Sequence, residues 1–127
     1  MELKHAYGFD DVAIAPGEIT INPELVDTTF NLAGLNFDIP FIASSMDAIV
    51  SPSFSSALHN QGGLAVLNLN GLFCRYENTE EIFLEISKKS SNEVTEFMQK
   101  IYSEPVKESL IRKRIQDIKS SGSLCAV

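Results

Sequence analysis

The stretch Ile39-Pro-Phe-Ile-Ala-Ser-Ser-Met-Asp47 limits the fold more than any other part of the chain. An apolar run rich in β-formers ends abruptly in small and polar residues. A buried parallel strand reads this way when it delivers a loop to the carboxyl edge of a sheet. Ser51-Pro-Ser-Phe-Ser-Ser-Ala-Leu-His-Asn60 follows and predicts a short helix. Ser51 can cap its free amides, and Pro52 suits the first helical position, where its missing N–H would be unpaired anyway. Gly62-Gly63 stops that helix, and Leu64-Ala-Val-Leu-Asn-Leu69 supplies a second buried strand. Strand, helix and strand make a βαβ unit, whose crossover is right-handed in nearly all known cases. Ligands of such units sit outside the carboxyl ends of the strands. The residues to follow are therefore Ser44, Ser45, Met46 and Asp47 after the first strand, and Asn68, Asn70 and Gly71 after the second.

The flanks fit an α/β chain. Upstream, Thr28, Phe30 and Leu32 alternate up to Ala33-Gly34, and Leu35, Phe37 and Ile39 alternate after it. Period-two alternation about a glycine predicts a β-hairpin, placed to cover one end of the sheet rather than join its centre. Downstream, Asn78-Thr-Glu-Glu81 has capping-box spacing and opens a helix with Ile82, Phe83 and Ile86 on one side. Val94, Phe97, Met98 and Ile101 recur at helical spacing, so Met98 is read as core. After the break at Glu104-Pro105, a third downstream helix turns Val106, Leu110, Ile111, Ile115 and Ile118 inward and ends at Gly122. Ser123-Leu-Cys-Ala-Val127 begins a third buried strand, and the sequence stops inside it with no crossover helix after it. The expectation is the opening portion of a larger α/β protein, residues 1–127 forming part of one domain.

Length, charge and motifs exclude several functions. A chain of 127 residues has room for one core, and 44% hydrophobic with 21% charged residues is ordinary for a globular protein. A net charge of −7 argues against nucleic acid as a partner, because phosphate binding needs a basic stripe. The one basic cluster, Arg112-Lys113-Arg114 with Lys119, is read as late in its helix, complementing the dipole. No run has the length of a membrane span, and no basic-then-apolar leader is present, so a cytoplasmic protein is expected. Cys74 and Cys125 lie far apart without metal-type spacing and are read as free thiols. Asp10 and Asp11 are adjacent, and adjacent side chains of an extended chain point apart, so a loop-capping role is preferred to a metal site. Neither His5 nor His59 has a ligand-type partner at useful spacing. For Ser44 the bland alternative is a strand-end hydroxyl bonded to its own backbone.

Three blocks together resemble a known family: Tyr7-Gly-Phe-Asp-Asp-Val-Ala-Ile-Ala-Pro16, Ile39-Pro-Phe-Ile-Ala-Ser-Ser-Met-Asp47 and Gly62-Gly-Leu-Ala-Val-Leu-Asn68. In order and spacing they are similar to the start of the IMP dehydrogenase/GMP reductase family. Asn68-Leu-Asn-Gly71, Arg75-Tyr-Glu77 and Ile101-Tyr-Ser-Glu-Pro105 resemble its bacterial IMP dehydrogenase-related branch, which lacks the CBS module. The resemblance implies a (β/α)8 barrel, of which this chain would supply an N-terminal hairpin and three parallel strands connected by helices. Complete barrels run to about 250 residues. It also implies hydride transfer between NAD or NADP and the purine of a nucleoside monophosphate (IMP, XMP or GMP), in a parent that is a homo-oligomer. A cysteine on a later loop would attack purine C2, and no catalytic residue is expected within this chain. By position, Ser44 and Met46 would line the nucleotide pocket, Met46 packing its thioether on the purine, and Asn70 would join them. Asp47 matches the acid after the methionine and is given a loop-shaping role ahead of a substrate contact. Asn68 and Leu69 depart from the family's basic or histidine-containing pair, which leaves the cofactor side unassigned. The isolated chain is expected to be inactive and, with its sheet edge unpaired, aggregation-prone. The alternative reading is a non-catalytic truncated α/β module with a structural or interaction role, soluble and without nucleotide affinity.

Overall fold

A computed structural model describes residues 5–127. Met1 to Lys4, the start of the polar lead-in, lie outside the described residues. The next segment forms a single 3-10 turn, Phe9–Asp11, in which the Asp11 carboxylate accepts the Gly8 amide at 2.9 Å. Asp11 thus has the loop-capping role expected of it. Tyr7, Phe9, Ile14 and Ile19 along this segment are exposed.

The hairpin forms as read. Strands β1 (Phe30–Leu32) and β2 (Leu35–Phe37) pair antiparallel in their own sheet, with Phe30 opposite Phe37. Ala33 and Gly34 both take positive φ, 52° and 82°, as a two-residue turn matching the strand twist requires. The Phe30 and Phe37 rings stack with centroids 5.1 Å apart, and Phe37 is buried. At the hairpin's foot the amides of Asp38 and Ile39 both reach the carbonyl of Gly62. The hairpin therefore sits at the amino end of the parallel strands, away from the loops at their carboxyl ends.

Strands β3 (Ile42–Ala43) and β4 (Leu64–Ala65) are parallel neighbours. Between them runs α1 (Pro52–Asn60), capped by Ser51 Oγ accepting the Phe54 amide at 3.0 Å. The ladder is shorter than the apolar run because Pro40 has no N–H and the Phe41 amide turns back to the Ile39 carbonyl. The third parallel strand is reduced to one bridge, Val66 to Ala126, held by the Leu67 amide on the Ala126 carbonyl at 2.9 Å.

Helices α2 (Thr79–Ser87), α3 (Val94–Ser103) and α4 (Glu108–Ser120) follow a 3-10 turn at Leu72–Cys74. Asn78 caps α2 by accepting the Glu81 amide at 3.5 Å. Gly122, at φ 79°, turns the chain out of α4. The core is a cluster of Val50, Ala65, Leu67, Phe73 and Ile118, with Leu58, Leu69 and Phe83 packed against it. Burying each large member contributes roughly 1.5–3 kcal/mol. Helices α1 and α4 pack on one another, so both crossovers lie on the same face of the parallel sheet. That arrangement follows from right-handed crossovers between strands added in sequence order.

One expectation about charge is corrected. Arg112, Lys113 and Arg114 lie mid-helix, and the only basic residue in the last turn of α4 is Lys119. Arg112 pairs with Glu108 on the surface, and Lys113 pairs with Glu77. Arg114 is nearly buried and donates to three carbonyls, of Phe73 at 3.1 Å, Tyr76 at 3.2 Å and Glu77 at 2.7 Å. Its task is to satisfy irregular backbone in the chain joining β4 to α2, not to complement a helix dipole.

Candidate functional site

The loops after β3 and β4 meet at the carboxyl edge. After Ala43 the chain closes a tight turn in which the Met46 amide reaches the Ser44 carbonyl at 2.8 Å. The amides of Ile49 and Val50 then reach the Met46 carbonyl. Ser44 is exposed and Met46 is 53% exposed, so both side chains are open at the strand end. The Ser44 hydroxyl makes no hydrogen bond among the described residues. After β4, Asn68 Oδ1 accepts the Asn70 amide at 3.0 Å, shaping the second loop. The Asn70 side chain is exposed and likewise free of hydrogen bonds among the described residues.

Asp47 joins the two loops. Its Oδ2 accepts the Leu72 amide at 2.8 Å and the Tyr102 hydroxyl at 2.6 Å. Its Oδ1 is buried without a hydrogen-bond partner among the described residues. That oxygen lies where a Cβ on Gly71 would stand, 1.7 Å from the ideal position, so only glycine admits the carboxylate. This geometry supports the loop-shaping role for Asp47. Burial, then the bond to Asp47, push the Tyr102 phenol up to about 12, so it stays a donor throughout the neutral range.

That shift gives a stability prediction. Below the ordinary phenol value of 10.0 both folded and unfolded chains keep the proton, and the contribution of the bond is complete. As pH rises from there through about 12, the unfolded phenol ionises first, and the contribution declines. Unfolding midpoints should therefore fall more steeply over that alkaline interval in the native protein than in Tyr102→Phe. Equal slopes for the two would refute the assignment.

Arg75 was given no role in the sequence, yet it closes the site. Its Nε donates to the Asn70 carbonyl at 3.1 Å, its Nη1 donates to the Glu104 carbonyl, and its guanidinium lies 5.7 Å from the Tyr102 ring centroid. The only earlier signal for Arg75 and Tyr102 was their place in segments that resembled one branch of the family. Cys74 is fully buried beside this loop, and burial pushes its thiol up; Cys125 is half-buried against the core. A cavity of about 620 Å³ lies between the starts of α1 and α2, lined by Asp47, Ser53, Asn78, Phe83 and Arg114 but not by Ser44, Met46 or Asn70.

Residues 6–115 match the IMP dehydrogenase / GMP reductase domain. The chain belongs to the IMP dehydrogenase/GMP reductase family. An uncharacterized oxidoreductase of Mycolicibacterium smegmatis is 30% identical over 129 residues, covering 98% of this chain and 34% of its own length. An inosine-5'-monophosphate dehydrogenase of Methanocaldococcus jannaschii is 37% identical over 70 residues, 55% of this chain and 14% of its own. The crystal structure of an IMP dehydrogenase/GMP reductase-like protein from Corynebacterium glutamicum superposes with a TM-score of 0.84 at 28% identity, covering 97% of this chain and 34% of that one. This family member thus spans about a third of the length of the relatives that match it end to end.

Proposed function

We propose that this chain is the opening part of a (β/α)8 barrel in an oxidoreductase that acts at purine C2 of a nucleoside monophosphate, IMP, XMP or GMP, with NAD or NADP. The observation that carries this reading is the pairing of Ser44 and Met46, open at the carboxyl end of β3, with a loop bearing Asn70 that Asp47 fastens alongside. The one-faced helix layer is the arrangement that the outer helix ring of a barrel requires.

In this reading the chain binds and orients. The Met46 thioether lies against the flat purine, and the free Ser44 hydroxyl and Asn70 amide supply polar contacts. Nicotinamide, when bound, accepts or donates the hydride. The cofactor side is not assigned to residues of this chain: Asn68 spends its side-chain oxygen on the Asn70 amide, and Leu69 packs on the core. The nucleophilic cysteine is assigned outside this chain. Cys74 is sealed, and burial holds its thiol away from the reactive thiolate.

Met46→Ala in the complete enzyme containing this chain tests the assignment. The KM for the purine nucleotide should rise about tenfold, the equivalent of about 1.4 kcal/mol of lost contact. A KM equal to that of the native enzyme would overturn it.

A further inference from the structure

Two segments that the nucleotide reading leaves unused, Arg75-Tyr-Glu77 and Ile101-Tyr-Ser-Glu-Pro105, come together directly behind the rim loops. Pro105 explains part of the meeting. Glu104 takes an extended conformation before it, φ −59° and ψ 131°, which ends α3 and turns the Glu104 carbonyl toward Arg75. We propose that Tyr102 and Arg75 are positioning residues for the nucleotide, Tyr102 fixing the Ser44–Asp47 loop through the Asp47 carboxylate and Arg75 fixing the Asn70 loop through its carbonyl. The guanidinium over the phenol ring sets the two clamps against each other, and with them the spacing of the two loops. This rests on the assignment of Ser44, Met46 and Asn70 to the nucleotide pocket.

The geometry separates positioning from packing. Met46 and Asp47 are adjacent, so a shift of the carboxylate moves the residue that faces the ligand. Within the first loop the remaining bonds described are backbone bonds of its own turn. Tyr76 offers an internal comparison. It is also half-buried, and its hydroxyl donates to the Ile101 carbonyl at 3.0 Å, binding the 3-10 segment to α3 without touching either rim loop.

The test compares Tyr102→Phe, Arg75→Lys and Tyr76→Phe with Met46→Ala in the complete enzyme. Tyr102→Phe should raise the nucleotide KM about five- to tenfold, the loss of one hydrogen bond to a charged acceptor, with kcat within about twofold. Arg75→Lys should do the same, because an ammonium cannot span two carbonyls as a guanidinium does. Tyr76→Phe should lower the melting temperature and leave KM within about twofold of native. If Met46→Ala raises KM and Tyr102→Phe and Arg75→Lys do not, the positioning role is overturned while the pocket assignment stands. If Tyr76→Phe moves KM as far as Tyr102→Phe, general loosening accounts for the effect and the role is again overturned. Native KM in both Met46→Ala and Tyr102→Phe overturns the pocket assignment and the positioning role together.

Discussion

Gly71→Ala should destabilise the protein by about 3 kcal/mol and weaken the site at the same time. The backbone of Gly71 is ordinary, φ −85° and ψ −176°, so no conformational strain enters. The obstacle is space: a Cβ would stand 1.7 Å from Asp47 Oδ1 and 2.4 Å from Cγ. A carboxylate can swing aside, but this one would surrender both the Leu72 amide and the Tyr102 hydroxyl as it moved. Leu72 is buried, so its freed amide would find no water, and overpacking adds to the loss. The check is the urea unfolding midpoint, with the nucleotide KM measured alongside it. Gly34→Ala is the useful contrast, because it meets nothing within 4 Å and costs only through its positive φ. It should leave KM untouched. A Gly71→Ala protein as stable as Gly34→Ala would contradict the close approach.

Arg114→Ala should cost about 2–3 kcal/mol, a large effect for a residue in a run of surface charge. The guanidinium serves the carbonyls of Phe73, Tyr76 and Glu77 at once, with only 12% of its side chain exposed. The loss stays near the low end expected for an interior charge-assisted network because the neighbouring cavity lets water reach some of the freed carbonyls. Arg114→Lys should recover less than half of the loss, since an ammonium on a flexible stem cannot serve all three carbonyls. Arg112→Ala, two positions away in an exposed pair, should change stability by less than about 0.5 kcal/mol. Equal effects at 112 and 114 would return the cluster to a surface role.

Local chemistry was legible from the sequence, and non-local chemistry was not. Ser51, Pro52 and Gly62 announce where α1 starts and stops, because each acts on backbone within a few residues. The hairpin was readable for the same reason, with Gly34 marking its turn. The short ladder at Ile42–Ala43 could have been inferred from Pro40 and was not, since an apolar run suggests a longer strand. Arg114 was misread because one basic side chain in a triplet looks like the next; burial alone sets it apart. The candidate rim was legible up to its edges. Ser44, Met46 and Asn70 follow strand ends and could be placed by topology. Tyr102 and Arg75 could not, since their partners Asp47 and Glu104 lie far off along the chain and no periodicity relates them.

The bond from Tyr102 to Asp47 joins residues 55 apart. During vectorial synthesis, the first two parallel strands leave the ribosome well before α3 exists to hold the loop between them. The nascent chain therefore carries an apolar half-sheet whose mouth cannot yet take its final shape. The proposed nucleotide pocket would be complete only once the helical layer has emerged, and a chaperone meeting the polypeptide before that point would find hydrophobic surface without it.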